Sequence, residues 1–437
     1  MISKPFLINM ESNLNNTTTL FDALKDVATV MAPLKNKIQS NRKFVSTILH
    51  FLSGVNDFRE PHKIRYNLEN ILCICLLLAM QGNFTSFAHA ASCIKLRVSY
   101  FKYLKLIDGE NFPSHDTLRR IFMYIDAKEL RDVIISRFNR MIDKITDSLN
   151  SKEKPKIRLL SGDGKMFNGS GRKNGASNKN VFNFFDASRD ICLLSVTLDD
   201  KESEIPAFQS ILKRFKLENT MVTGDAIHCQ RKTCQIITDK RGLYTFTVKD
   251  NQLALKDHMT FVMDKNKDKC IKKSFNNCDY EIFILDYPIT DQEFPGTKAF
   301  VRMVSHKRKD QQDYNPETQY FISSADNVQL IIEAIDNRWH IESGLHKFKD
   351  TSLNEDECTF MDKNCIEVMA TLNNIVYTLY CLAAAIFHNE VINDAKTRFE
   401  HNPEELLALI VPLMEKQNLS KLLKENMRGR KKCKSQG

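Results

Sequence analysis

Near residue 156 the hydrophobic rhythm of this chain changes, and the change dictates its architecture. From Phe44 to about residue 150, apolar residues recur at helical spacing, as in Ile71, Cys75 and Leu78 and again in Leu130, Val133, Ile134, Phe138 and Ile142. Beyond the charged linker Ser151-Lys152-Glu153-Lys154-Pro155 the pattern becomes short β-branched and aromatic runs broken by Gly, Asp and Asn. An all-helical unit is therefore followed by an α/β unit. A chain of 437 residues is also too long for one ordinary core.

Four segments are predicted: an arm at 1–43, a helical domain at 44–150, an α/β domain at 156–382, and C-terminal helices with a basic tail at 383–437. Within the α/β domain, Ile157 to Ser161 reads as a strand ending at Asp163. Strands at Val181 to Phe185 and Cys192 to Leu198 complete an antiparallel meander. Pro206 to Phe215 reads as a helix, Met221 to Thr223 as a short strand closing at Asp225, Gln230 to Thr238 as a helix and Tyr244 to Val248 as a strand. Residues 253–325 are polar and Lys-rich, with strand-like runs at Tyr280 to Leu285, Ala299 to Val304 and Gln319 to Ile322, and read as a β-rich insertion. A long helix is predicted from about Asn327 to Lys349, its apolar side marked by Val328, Ile331, Ile332, Ile335, Trp339 and Leu345. Trp339 is read here as core packing.

Composition removes several classes. Apolar residues at 42% and charged residues at 27% fit a globular protein rather than a disordered or fibrous one. The longest apolar run, Ile71 to Met80, is about half the roughly twenty residues a membrane-spanning helix needs, so it reads as a buried helix. The 12 cysteines form no C-x-x-C pair, and Cys73, Cys75 and Cys381 sit inside apolar runs, as reduced core thiols do. No secretory leader is legible, and the expected location is cytoplasmic. A net charge of +9 favours a polyanionic partner without naming it.

Three carboxylates stand out. Asp163 lies between glycines in Ser161-Gly162-Asp163-Gly164-Lys165, which leaves backbone room for a ligand. Asp225 repeats the arrangement in Thr223-Gly224-Asp225-Ala226, so two acids are expected at neighbouring strand ends, where ligands of open α/β sheets collect. Glu342 on the long helix supplies a third. Arg338, Glu342 and Lys349 are spaced to share roughly one helical face, with cations beside the acid to meet phosphates. Carboxylates on rigid elements are what a hard divalent ion needs in phosphoryl transfer. Taken singly, an Asp after a strand is as readily a turn residue, and Glu342 a salt-bridge partner for Arg338. Pro113-Ser114-His115-Asp116-Thr117-Leu118-Arg119-Arg120 places a capping Ser or Asp before a helix with adjacent arginines, suited to phosphates or simply to solvent. His228, Cys229 and Cys234 offer soft zinc ligands, yet no fourth ligand appears at suitable spacing.

Together these segments resemble the DDE transposases of bacterial insertion sequences, specifically the H-repeat-associated group within the wider insertion sequence 4 superfamily. The resemblance runs in order from about Phe51 to about Leu382: Asp57-Phe58-Arg59 and the Ile71 helix, Pro113 to Arg120, Asp163-Gly164-Lys165 with Gly169-Ser170, Lys201 to Pro206, Asp225 to Gln230, Lys249 to Gln252, and Trp339-His340-Ile341-Glu342 with Leu345-His346 and Asp350. It implies an RNase H-like catalytic core with a mixed five-stranded sheet. Asp163, Asp225 and Glu342 become the catalytic and metal-binding triad for two Mg²⁺ ions, with Mn²⁺ able to substitute. DNA contacts are implied at Arg119, Arg120, Lys165, His228, Lys249, Arg338 and Lys349. The implied partners are terminal inverted repeats and target DNA, engaged by a homodimer on paired ends at the nucleoid. Two departures are visible: the superfamily's tyrosine ahead of the arginine is Ile335, and Asp250 replaces the glycine of a Lys-Gly-Asn-Gln motif. A catalytically inactive, domesticated DNA-binding remnant and an RNase H-like nuclease remain open as alternative readings.

Overall fold

The computed structural model describes residues 40–109, 111–137, 157–171, 179–198, 203–289, 294–306, 317–386 and 392–401. Most of the predicted arm, the linker and the basic tail lie outside them.

Before residue 138 the described residues are helical. Helices α1 (Ser40–Leu52), α2 (Leu68–Met80), α3 (Phe87–Leu96), α4 (Val98–Tyr103) and α5 (His115–Tyr124) are followed by a further helical stretch at 127–137. In α2 every residue from Ile71 to Met80 is buried, so an unbroken apolar run serves as the centre of a bundle. Among the described residues no helix is long and apolar enough to cross a membrane. Ser114 caps α5, its hydroxyl accepting from the Thr117 amide at 3.2 Å. Leu118, Ile121 and Phe122 of α5 face inward, whereas Arg119 and Arg120 are exposed.

Nine strands follow among the described residues: β1 (Arg158–Phe167), β2 (Lys179–Asp186), β3 (Ile191–Leu198), β4 (Thr220–Gly224), β5 (Leu243–Val248), β6 (Ile271–Phe275), β7 (Cys278–Ile289), β8 (Thr297–Ser305) and β9 (Thr318–Ser323). They form one mixed sheet in the order β3-β2-β1-β4-β5-β9-β8-β7-β6. β1, β2 and β3 are antiparallel in sequence, as the meander predicts, while β4 runs parallel to β1 and β5 parallel to β4. Two expectations are corrected. The five core strands do not stand alone: among the described residues the sheet has nine strands, because β9 pairs antiparallel with β5 and carries the insertion's strands onto the same sheet. The insertion also opens with a helix, α8 (Leu253–Lys265), after α6 (Glu204–Arg214) and α7 (Arg231–Asp239).

A further correction concerns β1, which does not end at Asp163 but runs four residues past it to Phe167. Strand alternation then sorts its residues. A Cβ on Gly162 would meet Phe182 and Phe208 at 2.7 Å, and one on Gly164 would fall on the Glu204 carboxylate, so the two glycines face α6. Asp163 and Lys165 face the opposite side. On β2, Phe182 and Phe184 likewise pack on Phe208 of α6, whereas Phe185 meets Tyr377 of the long helix α11 (Lys363–Ile386). Between them in sequence run α9 (Val328–Arg338), a π-helical turn at Ile341–His346, α10 (Lys347–Ser352) and then α11; α12 (Ile392–His401) follows.

The glycine at 162 is therefore a packing requirement. Gly162→Ala is expected to lower unfolding free energy by about 1–3 kcal/mol, as overpacked cores do. Urea denaturation measures this, and an unchanged midpoint would mean that the two phenyl rings yield freely.

Candidate active site

Register brings the first two acids level. In the parallel β1–β4 pair Gly162 stands opposite Gly224, so Asp163 and Asp225 are the next residue on each strand path. The Asp225 turn is held from β5's far end: Asn251 Nδ2 donates to the Ala226 carbonyl at 2.9 Å and Gln252 Nε2 to the Cys229 carbonyl at 3.1 Å. The residue that departs from the expected motif, Asp250, faces away and takes a Lys256 ammonium at 2.8 Å. Lys249 Nζ lies 3.3 Å from Asp225 Oδ1 and is largely exposed, which sets an accessible cation beside that acid.

Glu342 occupies the π-helical turn, not a continuous α-helix. Single π turns widen a helix at functional positions. This one packs against β1 and keeps the Glu342 side chain accessible, 3.5 Å from Arg338 Nη1. Arg338 is itself buried, its guanidinium 4.1 Å from the centroid of the Trp339 ring. Trp339 is 41% exposed, correcting the reading of it as core: the ring is a platform for the arginine beside Glu342.

Electrostatics link the acids. Burial, then the negative charges of Glu342 and Glu204, push the Asp163 carboxyl up to about 7, with Arg338 opposing and Asp225 adding slightly. Burial also raises Asp225, but the Ala226 amide, Lys249 and Arg338 outweigh it and hold that carboxyl below its usual range. Glu204, a buried residue at the start of α6, is a fourth acid whose role the sequence did not disclose, although it lies in the Lys201 to Pro206 segment. Among the described residues no group of three or more His, Cys, Asp and Glu side chains is arranged to hold a metal ion. The donor chemistry does suit a hard divalent cation: burial and then crowded carboxylate charge raise Asp163, and a cation would relieve the crowding.

Three of the residues expected to meet DNA are instead taken up by packing or ion pairs inside the protein, His228 and Lys349 fully buried and Lys165 nearly so. His228 is fully buried between Phe182 and Phe208, ring centroids 5.5 and 4.6 Å away, and burial pushes it down to about 4, so it is a neutral packing group beneath the Asp225 turn. Lys165 pairs with Asp350, with Glu355 Oε2 at 2.8 Å and with Asp356 at 3.7 Å. Lys349 is fully buried, donating to Asn183 Oδ1 at 3.1 Å with Glu355 Oε1 at 4.0 Å. For Lys349 the physical reason is the π turn, which takes up an extra residue and rotates α10 away from the face that Arg338 and Glu342 share. Asn373 Nδ2 donates to Glu355 Oε1 at 3.0 Å, closing the cluster. Glu355 carries no motif signal, and only its distant partners identify it.

The matched families agree with the ordered motifs. Residues 49–136 match the family described as DDE_Tnp_1-associated, and residues 107–379 match the Transposase DDE domain. Two Escherichia coli K12 proteins are similar at 25% identity: YbfL and the H repeat-associated YhhI, each alignment covering 76% of this chain and 89% of the relative. YncI of Escherichia coli O157:H7 is 24% identical over 77% of this chain and 87% of its own length. Among solved structures, the piggyBac transposase synaptic complex with hairpin DNA aligns with 92% of this chain and 85% of its own at 12% identity and a TM-score of 0.41.

The Lys165–Glu355–Lys349 cluster gives an acid-stability prediction. Burial alone would raise the Glu355 carboxyl, but Lys165 and then Lys349 outweigh it and hold it at about 2, against 4.5 when exposed. A carboxyl depressed on folding stabilises fully above its unfolded value and loses that contribution as pH falls toward its folded one. Unfolding free energy should therefore drop on the order of 3 kcal/mol between these two values through this group. Glu355→Gln is expected to be less stable at neutral pH and to flatten that part of a urea-denaturation pH series. A parallel pH series in the two proteins would refute it.

Proposed function

This chain belongs to the Transposase DDE domain family, among the H repeat-associated proteins of bacterial insertion sequences, and we propose that it binds the terminal inverted repeats of its element, cuts DNA there and joins the freed ends to target DNA. The observation carrying this reading is the level placement of Asp163 on β1 and Asp225 just past the end of β4, with Glu342 on a turn packed against β1 and its charge felt at Asp163. The strand order β3-β2-β1-β4-β5, with β4 and β5 parallel to β1, supports an RNase H-like core extended by the insertion.

Asp163, Asp225 and Glu342 would hold two Mg²⁺ or Mn²⁺ ions. Such ions, when bound, activate the attacking oxygen and steady the leaving one, first with water and then with a 3′ hydroxyl as nucleophile. The chain's own residues do the positioning. Lys249, exposed beside Asp225, and Arg338, stacked on the exposed Trp339, supply cations where a phosphate would lie against the acids. Arg119 and Arg120, exposed on a capped helix, suit phosphates of the inverted repeat rather than its bases. A homodimer on paired ends, acting on nucleoid DNA in the cytoplasm, completes the proposal.

Cleavage of a labelled fragment carrying the element's own ends tests it, with Mg²⁺ or Mn²⁺ and with EDTA. Wild type is expected to cut at the ends only with metal. Asp163→Asn, Asp225→Asn and Glu342→Gln should each bind the fragment and fail to cut. Activity retained in one variant removes that residue from the triad, and specific binding without cutting by wild type would indicate an inactive, domesticated remnant. Arg119→Ala with Arg120→Ala should weaken end binding and reduce its salt dependence by about two phosphate contacts; an unchanged salt slope would assign both arginines to solvent.

A further inference from the structure

Asp163 stands directly opposite Asn183 in the antiparallel β1–β2 register, so both side chains share the face covered by the π turn and α10. Asn183 is fixed by its neighbours. Its Oδ1 accepts from Lys349 Nζ at 3.1 Å and from Ser195 Oγ at 2.6 Å, and Ser195 Oγ in turn accepts from Asn374 Nδ2 at 2.9 Å. An ammonium can only donate, so the amide cannot be flipped, and Nδ2 must point to His346 Nε2, 3.0 Å away. An amide nitrogen also only donates, which makes Nε2 an acceptor and leaves the single imidazole proton on Nδ1. That nitrogen lies 3.6 Å from Asp163 Oδ2. The gap exceeds hydrogen-bond length by about half an ångström, so the contact is electrostatic, and a small side-chain rotation would close it.

We infer that His346 is a positioning residue for Asp163: the chain Lys349–Asn183–His346 locks one imidazole tautomer so that Nδ1–H orients the first catalytic carboxylate. The role rests on the proposed transposase reading. His346 and Glu342 come from the same π turn, so the contact also ties the turn bearing the third acid to the strand bearing the first. Lys349 then acts as the charge that settles which way Asn183 faces. Groups that orient a metal-binding ligand in this manner typically contribute about 10–100-fold to metal affinity or activity.

The test compares His346→Asn, whose amide can replace the Nδ1 donor, with His346→Gln, whose amide reaches toward the Nε2 position. Mn²⁺ binding by full-length protein is followed by electron paramagnetic resonance, alongside end cleavage and melting by circular dichroism. His346→Gln should bind Mn²⁺ about 10–100-fold more weakly at an unchanged melting temperature, with His346→Asn substantially restored. Equal affinity in both variants and wild type, or equal loss in both, overturns the inference. Should the Gln variant not fold, imidazole ¹⁵N spectra of wild type decide: an Nδ1–H tautomer at His346 supports the assignment and an Nε2–H tautomer overturns it. If wild type itself binds no Mn²⁺ while Asp225→Asn behaves identically, the transposase reading fails instead.

Discussion

Glu355 is buried between two lysines, with Lys165 Nζ 2.8 Å from one carboxylate oxygen and Lys349 Nζ 4.0 Å from the other. Three charges withdrawn from water would be ruinous singly, and they persist because each is matched and further hydrogen-bonded, by Asp350, Asn183 and Asn373. The cluster joins β1, α10, the turn at Glu355–Glu357 and α11 at one point. The spacing of Asp163 and Glu342 is set beside that junction. β1 carries Asp163, and the turn just ahead of α10 carries Glu342. Removing any member would leave a buried charge unbalanced and loosen the two acids relative to each other.

The residues of β1 divide the labour by alternation. Gly162 and Gly164 let the phenylalanines of β2 and α6 and the carboxylate of Glu204 approach the strand, while Asp163 and Lys165 turn to the polar side. One strand thus presents an apolar seal behind Asp163 and an ionic lattice beneath it. The seal excludes water from one face of Asp163, and the crowding of Glu342 and Glu204 raises its proton affinity. Asp225, at the open end of β4, has an amide and a lysine for company and is pushed the other way. Paired acids with opposed shifts divide proton-holding from charge-holding.

Much of this was legible in the sequence. The strands at β2, β3, β4 and β5 follow from short β-branched and aromatic runs, and the pairing of Asp163 with Asp225 from the repeated Gly-Asp turn. Local patterning could not reveal that Val328 to Lys349 breaks at a π turn, because the apolar spacing through Leu345 is compatible with an unbroken α-helix. The error propagated: with continuous helical spacing Lys349 shares the Glu342 face, and with the turn it points into the core. Lys165 and Glu355 are 190 residues apart in sequence, and a charged residue carries no local sign that a partner awaits it. That the β-rich insertion joins the core sheet was not legible, because backbone pairing between β5 and β9 depends on the fold bringing two edges together, which no short window encodes.

That pairing has a mechanical consequence. From Thr245 opposite Ser323 to Val248 opposite Tyr320, β5 and β9 are stitched by main-chain bonds, and β8, β7 and β6 continue the same ladder to an outer strand whose lysines, Lys272 and Lys273, are exposed. The insertion is thus a cantilever built from the same plank as the site, not a flap on a hinge. A load at its tip travels through the ladder into β5, and the first side chain beyond the end of β5 is Lys249, 3.3 Å from Asp225.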